Sequence, residues 1–201
     1  MKRKTVSKNW YNFYRVVLGP IYKFYYNPKV INKEVIPKSG PIIIAGNHKH
    51  MMDQCSIVIS TKRVIHYMAK KEYFDGHFAW FFKTAGCISV NRSIHDKNAK
   101  EQALNILKNG GAIGIFPEGT RNRTKEFLLP FKFGAVSMAQ KTNATIVPFG
   151  VTGEYKFRSK DLVVRFGKPF KVDKDMSLED ANKKLENAIG NLMKENLENK
   201  D

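Results

Sequence analysis

The sequence predicts an α/β fold: a single domain with a mixed, substantially parallel sheet flanked by helices, preceded by an aromatic and basic amphipathic N-terminal helical arm. Three observations carry this expectation. Apolar runs of strand length alternate with helical periods from about residue 41 onward, glycines and capping residues punctuate the junctions, and 201 residues at 42% hydrophobic suit one buried core better than two. The expected organisation is an arm over residues 1–40 and one domain over residues 41–201 that ends in an amphipathic helix.

The arm comes first. Residues 8–26 have a helical pattern interrupted at Gly19-Pro20, with Trp10, Tyr14, Val17, Ile21 and Phe24 on one stripe and Lys8, Arg15 and Lys23 on a narrow opposite face. Rings of this type suit a lipid headgroup boundary and lysines suit anionic lipid, while the run is too short and too broken to span a bilayer. The arm is therefore expected to attach to an anionic membrane surface and to be dispensable for folding of the core. The competing reading is that the same stripe packs on the protein itself.

Strand patterns follow at 42–45, 64–68, 87–90, 112–116, 145–149 and 162–166. Between them, residues 96–109 put Ala99, Ala103, Ile106 and Leu107 on one face and stop at Gly110-Gly111, and residues 133–141 form another short helix. The last helix starts at a capping-box-like Ser177-Leu178-Glu179-Asp180 and carries the stripe Leu178, Ala181, Leu185, Ile189, Leu192. In such a fold the functional site gathers where strands end and loops begin.

Charge narrows the partners only partly. The net charge is +17, divided as +8 over residues 1–40, +11 over 41–170 and −2 over 171–201. Nucleic acid, anionic headgroups and phosphorylated substrates all suit a basic body. No RNP-type block or helix-turn-helix pattern is present and the aromatics cluster on the arm, so nucleic acid is not expected as a partner. Cys55 and Cys87, without Cys-x-x-Cys spacing or a signal-like leader, fit a reducing cytosolic compartment.

Chemistry concentrates in two blocks. His48 ends the apolar run Pro41-Ile42-Ile43-Ile44-Ala45-Gly46, and Asp53 stands five residues on; such a pair suits a general base oriented by an acid. A His-x4-Asp spacing arises by accident in roughly one such chain in five, so alone it is weak. A metal site from His48, His50 and Asp53 is not expected: in a strand the two histidines share a face and Asp53 points away. The second block, Phe116-Pro117-Glu118-Gly119-Thr120-Arg121-Asn122-Arg123, can supply an anion clamp. Between them stands Gly86-Cys87-Ile88-Ser89-Val90-Asn91-Arg92, and after them Thr145-Ile146-Val147-Pro148-Phe149-Gly150.

These four blocks in this order resemble the 1-acylglycerol-3-phosphate acyltransferases (lysophosphatidic acid acyltransferases), within the wider glycerolipid acyltransferases, over about residues 40–170. His48 and Asp53 match the catalytic block, Gly86 and Arg92 the second, Phe116 to Arg121 the third and Pro148 the fourth. Lys132 and Gly134 match a lysine-glycine pair that often follows. Of the departures, His50 and Asn122 remove no group the chemistry requires, while Cys87, Ser89 and Asn91 make the second block less aromatic than usual and bear on the shape of the acceptor pocket.

The resemblance implies acyl transfer from a thioester to the free hydroxyl of 1-acylglycerol 3-phosphate, giving phosphatidic acid. His48 would be the base and Asp53 its orienting acid, with no enzyme nucleophile. Arg92, Arg121 and Lys132 would hold the acceptor's phosphate, with Arg123 a weaker candidate. Glu118 would accept from a glycerol hydroxyl or hold Arg121, and Gly119 and Thr120 would complete that turn. No bound cofactor or metal is implied; acyl-CoA or an acyl carrier protein thioester would be the co-substrate. The implied location is peripheral, on the cytoplasmic face of the membrane. Glycerol 3-phosphate or another lysolipid as acceptor and, from a different class, a nucleic-acid-binding or a non-catalytic membrane-binding protein are the remaining alternatives. Cys55 and Cys87 are not expected to carry an acyl group, since neither has an evident activator beyond the vicinity of His48 and Cys87 lies in an apolar strand pattern, where thiols are usually inert.

Overall fold

The computed structural model describes residues 8–91, 93–94 and 96–198. Seven strands form one sheet: β1 (Lys29–Ile31), β2 (Ile42–Gly46), β3 (Ile65–Lys70), β4 (Ile88–Val90), β5 (Ala112–Ile115), β6 (Thr145–Thr152) and β7 (Val163–Phe166), in the order β1-β7-β6-β2-β5-β3-β4. The strands from β2 to β6 run parallel, β7 is antiparallel to β6, and β1 is parallel to β7. The helices are α1 (Lys8–Tyr26), α2 (Asp53–Val58), α3 (Ala79–Thr84), α4 (Lys97–Lys108), α5 (Gly134–Thr142) and α6 (Leu178–Glu198).

The sheet's two-sided burial follows from the alternation of side chains along a strand. Ile43 and Ala45 of β2 join one core with Ala103 and Leu107 of α4, Val136 of α5 and Leu185 of α6. Ile42 and Ile44 join the other with Ile57 of α2, Phe149 and Phe166. Every residue of β2 is buried, as a central strand between β5 and β6 requires. Gly46 at its end leaves room for the Phe149 ring, which lies where a Cβ would stand.

All six expected strands form, with β6 running on to Thr152. The three expected helices form too. Asp96 caps α4 by accepting from the Ala99 N–H (3.0 Å), and Ser177 Oγ accepts from the Asp180 N–H (3.0 Å) at the start of α6.

Two expectations about the arm are corrected. Its helix does not break at Gly19-Pro20; α1 is continuous, with Pro20 inside it. Packing across the proline explains this. Tyr11 and Tyr22 on either side are both buried, Tyr11 Oη accepting from the Ile65 N–H (3.1 Å) and Tyr22 Oη lying 2.5 Å from Ser56 Oγ. The domain boundary at residue 40 also shifts, because Lys29–Ile31 pairs with Val163–Arg165 as an edge strand of the same sheet.

Candidate active site

The site is built where β2 and β5 lie side by side and in parallel, Ala45 opposite Ile115. Both strands end at the same edge of the sheet, so the loop beginning at Asn47 meets the loop beginning at Phe116. Two cross-loop hydrogen bonds fix them. The His48 N–H donates to Glu118 Oε1 (2.7 Å), and the Asn122 N–H donates to the His48 carbonyl (2.7 Å). Asn47 ties the same loop to β6, its side chain donating to the Val151 carbonyl (2.9 Å) and accepting from the Val151 N–H (2.7 Å).

His48 and Asp53 meet as expected, with Nδ1 2.8 Å from Asp53 Oδ2. The stretch that joins them is not one regular element. It is not a strand: residues 47–52 turn and Asp53 opens α2, which brings the carboxylate back under the imidazole. Asp53 is fully buried, a position that an unsatisfied carboxylate could hold only at great cost. Its Oδ2 also accepts from the Lys49 N–H (2.9 Å) and the His50 N–H (2.8 Å), while Oδ1 accepts from Tyr155 Oη (2.8 Å). With Nδ1–H donating to Asp53, Nε2 is the acceptor nitrogen of the His48 ring. Phe116 stacks on the ring at 3.9 Å between centroids, and the side chain keeps 17% exposure, so the imidazole is held in one orientation yet reachable.

Glu118 lies beneath the site. It is buried and both oxygens accept backbone donors, Oε1 from His48 and Oε2 from the Leu129 N–H (2.9 Å). Burial pushes its pKa up, opposed by these two hydrogen bonds. The observed place of Glu118 is thus that of a strut between two loops. Gly119 adopts φ +70°, and a Cβ there would stand 2.9 Å from Lys132 Cε, so the bare glycine lets the lysine lie across the turn. Lys132 is itself anchored by its N–H to the Pro117 carbonyl (2.8 Å). Thr120 is exposed at the tip. Arg121 is half-buried, and its charge reaches His50, whose pKa is lowered chiefly by burial, with Asp53 opposing and Arg121 and Lys49 adding to the effect. Arg123 is exposed. Arg92 lies outside the described residues; its neighbour Asn91 follows β4, whose end faces the same edge of the sheet.

Tyr155 was not among the candidates. It comes from the loop after β6, donates to Asp53, stacks on His50 (4.4 Å between centroids) and touches Tyr26 of α1 (5.4 Å). Burial pushes its pKa far up, with the nearby Asp53 adding to the effect, so it remains a neutral donor. No spacing rule links residue 155 to residue 53, which is why the sequence is silent about it. Both cysteines are half-buried, and desolvation is the chief cause that raises their thiol pKa values, to about 11 for Cys55 and about 12 for Cys87. Among the described residues no group of three or more His, Cys, Asp or Glu is arranged to hold a metal.

A family model described as acyltransferase matches residues 27–152, which include the whole His48–Asp53 loop, Glu118 and β2 through β6. The chain belongs to the acyltransferase family. Among its relatives, the 1-acyl-sn-glycerol-3-phosphate acyltransferase of Bacillus subtilis is 35% identical over 127 residues, 62% of this chain and 62% of the relative. The enzyme of the same name from Borreliella burgdorferi is 35% identical over 141 residues, 69% of this chain and 56% of the relative. The chain thus spans about three fifths of the length of these relatives. The crystal structure of the 1-acyl-sn-glycerophosphate acyltransferase from Thermotoga maritima superposes with a TM-score of 0.71 over 94% of this chain and 93% of that one, at 21% identity. This member of the acyltransferase family shares that enzyme's fold.

Proposed function

We propose that this acyltransferase moves a fatty acyl group from an acyl thioester to the free hydroxyl of 1-acylglycerol 3-phosphate, giving phosphatidic acid. The observation that carries the reading is the His48–Asp53 pair at 2.8 Å, on a chain 35% identical over 127 and 141 residues to two proteins named for this reaction. His48 Nε2 removes the acceptor hydroxyl's proton as that oxygen attacks the thioester carbonyl. Asp53 stabilises the imidazolium that forms. The tetrahedral intermediate collapses with loss of the C–S bond, and His48 returns the proton to the departing thiolate. Two half-buried thiols with raised pKa values support transfer without a cysteine-bound intermediate. Arg92, Arg121 and Lys132 are the cations proposed to hold the acceptor's phosphate, Gly119 and Thr120 shape the turn between them, and acyl-CoA or an acyl carrier protein thioester is the proposed donor.

Attachment to the membrane as a peripheral protein on its cytoplasmic face belongs to the same reading. Among the described residues no helix is long and apolar enough to cross a membrane. What supports attachment is an exposed apolar face along α1, with Trp10, Phe13, Val17, Ile21 and Phe24 all outward. Trp80 near Tyr14 and Phe157 against Phe24 and Tyr25 extend it at both ends. A patch of this kind on a soluble surface marks an interaction site.

The deciding experiment is thioester release by the purified protein with a panel of 1-acylglycerol 3-phosphate, its dephosphorylated analogue and glycerol 3-phosphate. His48→Ala should lower turnover by at least ~100-fold with the fold intact, and Asp53→Asn should also be severe. Near-normal turnover in a folded His48→Ala protein would sink the mechanism, and preference for glycerol 3-phosphate would reassign the acceptor.

A further inference from the structure

The helix α1 has a third face between the buried one and the exposed apolar one. Arg15, Gly19 and Lys23 recur at four-residue spacing and so share a stripe on its flank. Across from them stand Lys33, in the 3-10 turn Lys33–Val35, and the turn Ser60-Thr61-Lys62 that follows α2. Together they enclose a surface hollow of about 370 Å³, floored by Gly19 against Ile59. Four cations from three separate elements line it. Arg15 is fixed by donating from Nη1 to the Thr61 carbonyl (3.2 Å), and among the described residues none of the four is paired with a carboxylate. Like charges around one hollow repel each other, and an anion seated there turns that repulsion into attraction.

We propose that this groove is a binding site for the phosphate headgroup of an anionic phospholipid, separate from the catalytic centre. This inference rests on the reading of α1 as a membrane-facing helix. The groove lies at the C-terminal end of α2, whereas Asp53 opens that helix, so its cations are not those placed at the acceptor's phosphate. Val16 both lines the hollow and is 65% exposed beside the outward aromatic stripe. A headgroup in the groove therefore has its acyl chains next to Val16, Phe13 and Pro20, which a free phosphate would have no use for. The hydroxyls of Ser60 and Thr61 add polar partners for phosphate or glycerol oxygens. The site would recruit the enzyme to anionic lipid and fix how α1 is rotated on it.

The test compares Lys33→Gln/Lys62→Gln with Lys97→Gln/Lys108→Gln, which removes the same charge from α4. Neither lysine of the first pair belongs to α1, so the amphipathic helix is untouched. Binding of each full-length protein is measured on neutral phosphatidylcholine vesicles and on the same vesicles doped with phosphatidylglycerol. The groove variant should bind the doped vesicles on the order of 10-fold more weakly than the α4 variant, with binding to neutral vesicles unchanged in both. Equal weakening by the two variants overturns the groove and leaves membrane attachment standing. An intact protein that ignores both kinds of vesicle overturns attachment itself, and the groove with it.

Discussion

Asp53 receives four hydrogen bonds, and the one from Tyr155 reaches its far oxygen from 102 residues away. That phenol is the sole side chain besides His48 donating to the carboxylate among the described residues, the other two donors being backbone N–H groups of the same loop. Tyr155→Phe keeps the ring stacked on His50 and against Tyr26 but removes the donor. A hydrogen bond to a charged group contributes about 1.5–3 kcal/mol, so part of that loss should appear in turnover, roughly 10-fold in kcat with little change in KM. Steady-state kinetics alongside a melting curve checks this; an unchanged kcat would assign Tyr155 to stability alone. The His48–Asp53 pair was legible because its members sit five residues apart. Tyr155 was not, because the fold alone brings it there, and neither was the place of Glu118 as a strut, since only the folded loops reveal which N–H groups need it.

At the scale of elements, the strands and long helices were readable because an apolar run bounded by turn residues, or a stripe repeated over several helical turns, leaves a pattern, as in the run Ile42-Ile43-Ile44 or the stripe of α6. The segments missed are those too short to show one. β1 has three residues, and α2 and α3 have six each, so fewer than two helical turns were available to mark a face. Gly19-Pro20 misled in the opposite direction, because tertiary contacts at Tyr11 and Tyr22 hold α1 together across a residue that cannot donate. Strand β3 carries a titratable group of its own. His66 Nδ1 lies 2.7 Å from the Gly86 carbonyl, and burial lowers its pKa below 6.5, opposed by that hydrogen bond. The unfolded chain therefore binds a proton that the folded one resists. Its stabilising contribution is full above pH 6.5 and is lost as pH falls from there through the lower folded value. Denaturant midpoints should drop across that interval in the wild type, and His66→Gln should flatten the drop; an identical pH slope in the variant would place the titration elsewhere.

At the scale of the whole molecule, α1 belongs to both the core and the surface. Tyr11 and Tyr22 are buried against β3 and α2 while Phe13, Ile21 and Phe24 face outward. Deleting residues 1–26 should therefore lower the melting temperature as well as vesicle binding, by several kcal/mol of stability given two buried aromatic side chains at about 1.5–3 kcal/mol each. A truncated protein with an unchanged melting temperature would return the arm to the dispensable role expected from its sequence. The two loops of the site have a corresponding interdependence. His48 donates into Glu118 and accepts from Asn122, so neither amide can meet solvent unless the ends of β2 and β5 part company. In hydrogen–deuterium exchange the amides of His48, Asn122 and Leu129 should lose their protons as one slow group, while Thr120 at the exposed tip exchanges early. The catalytic centre would then open and close as a single cooperative unit, present whole or absent whole.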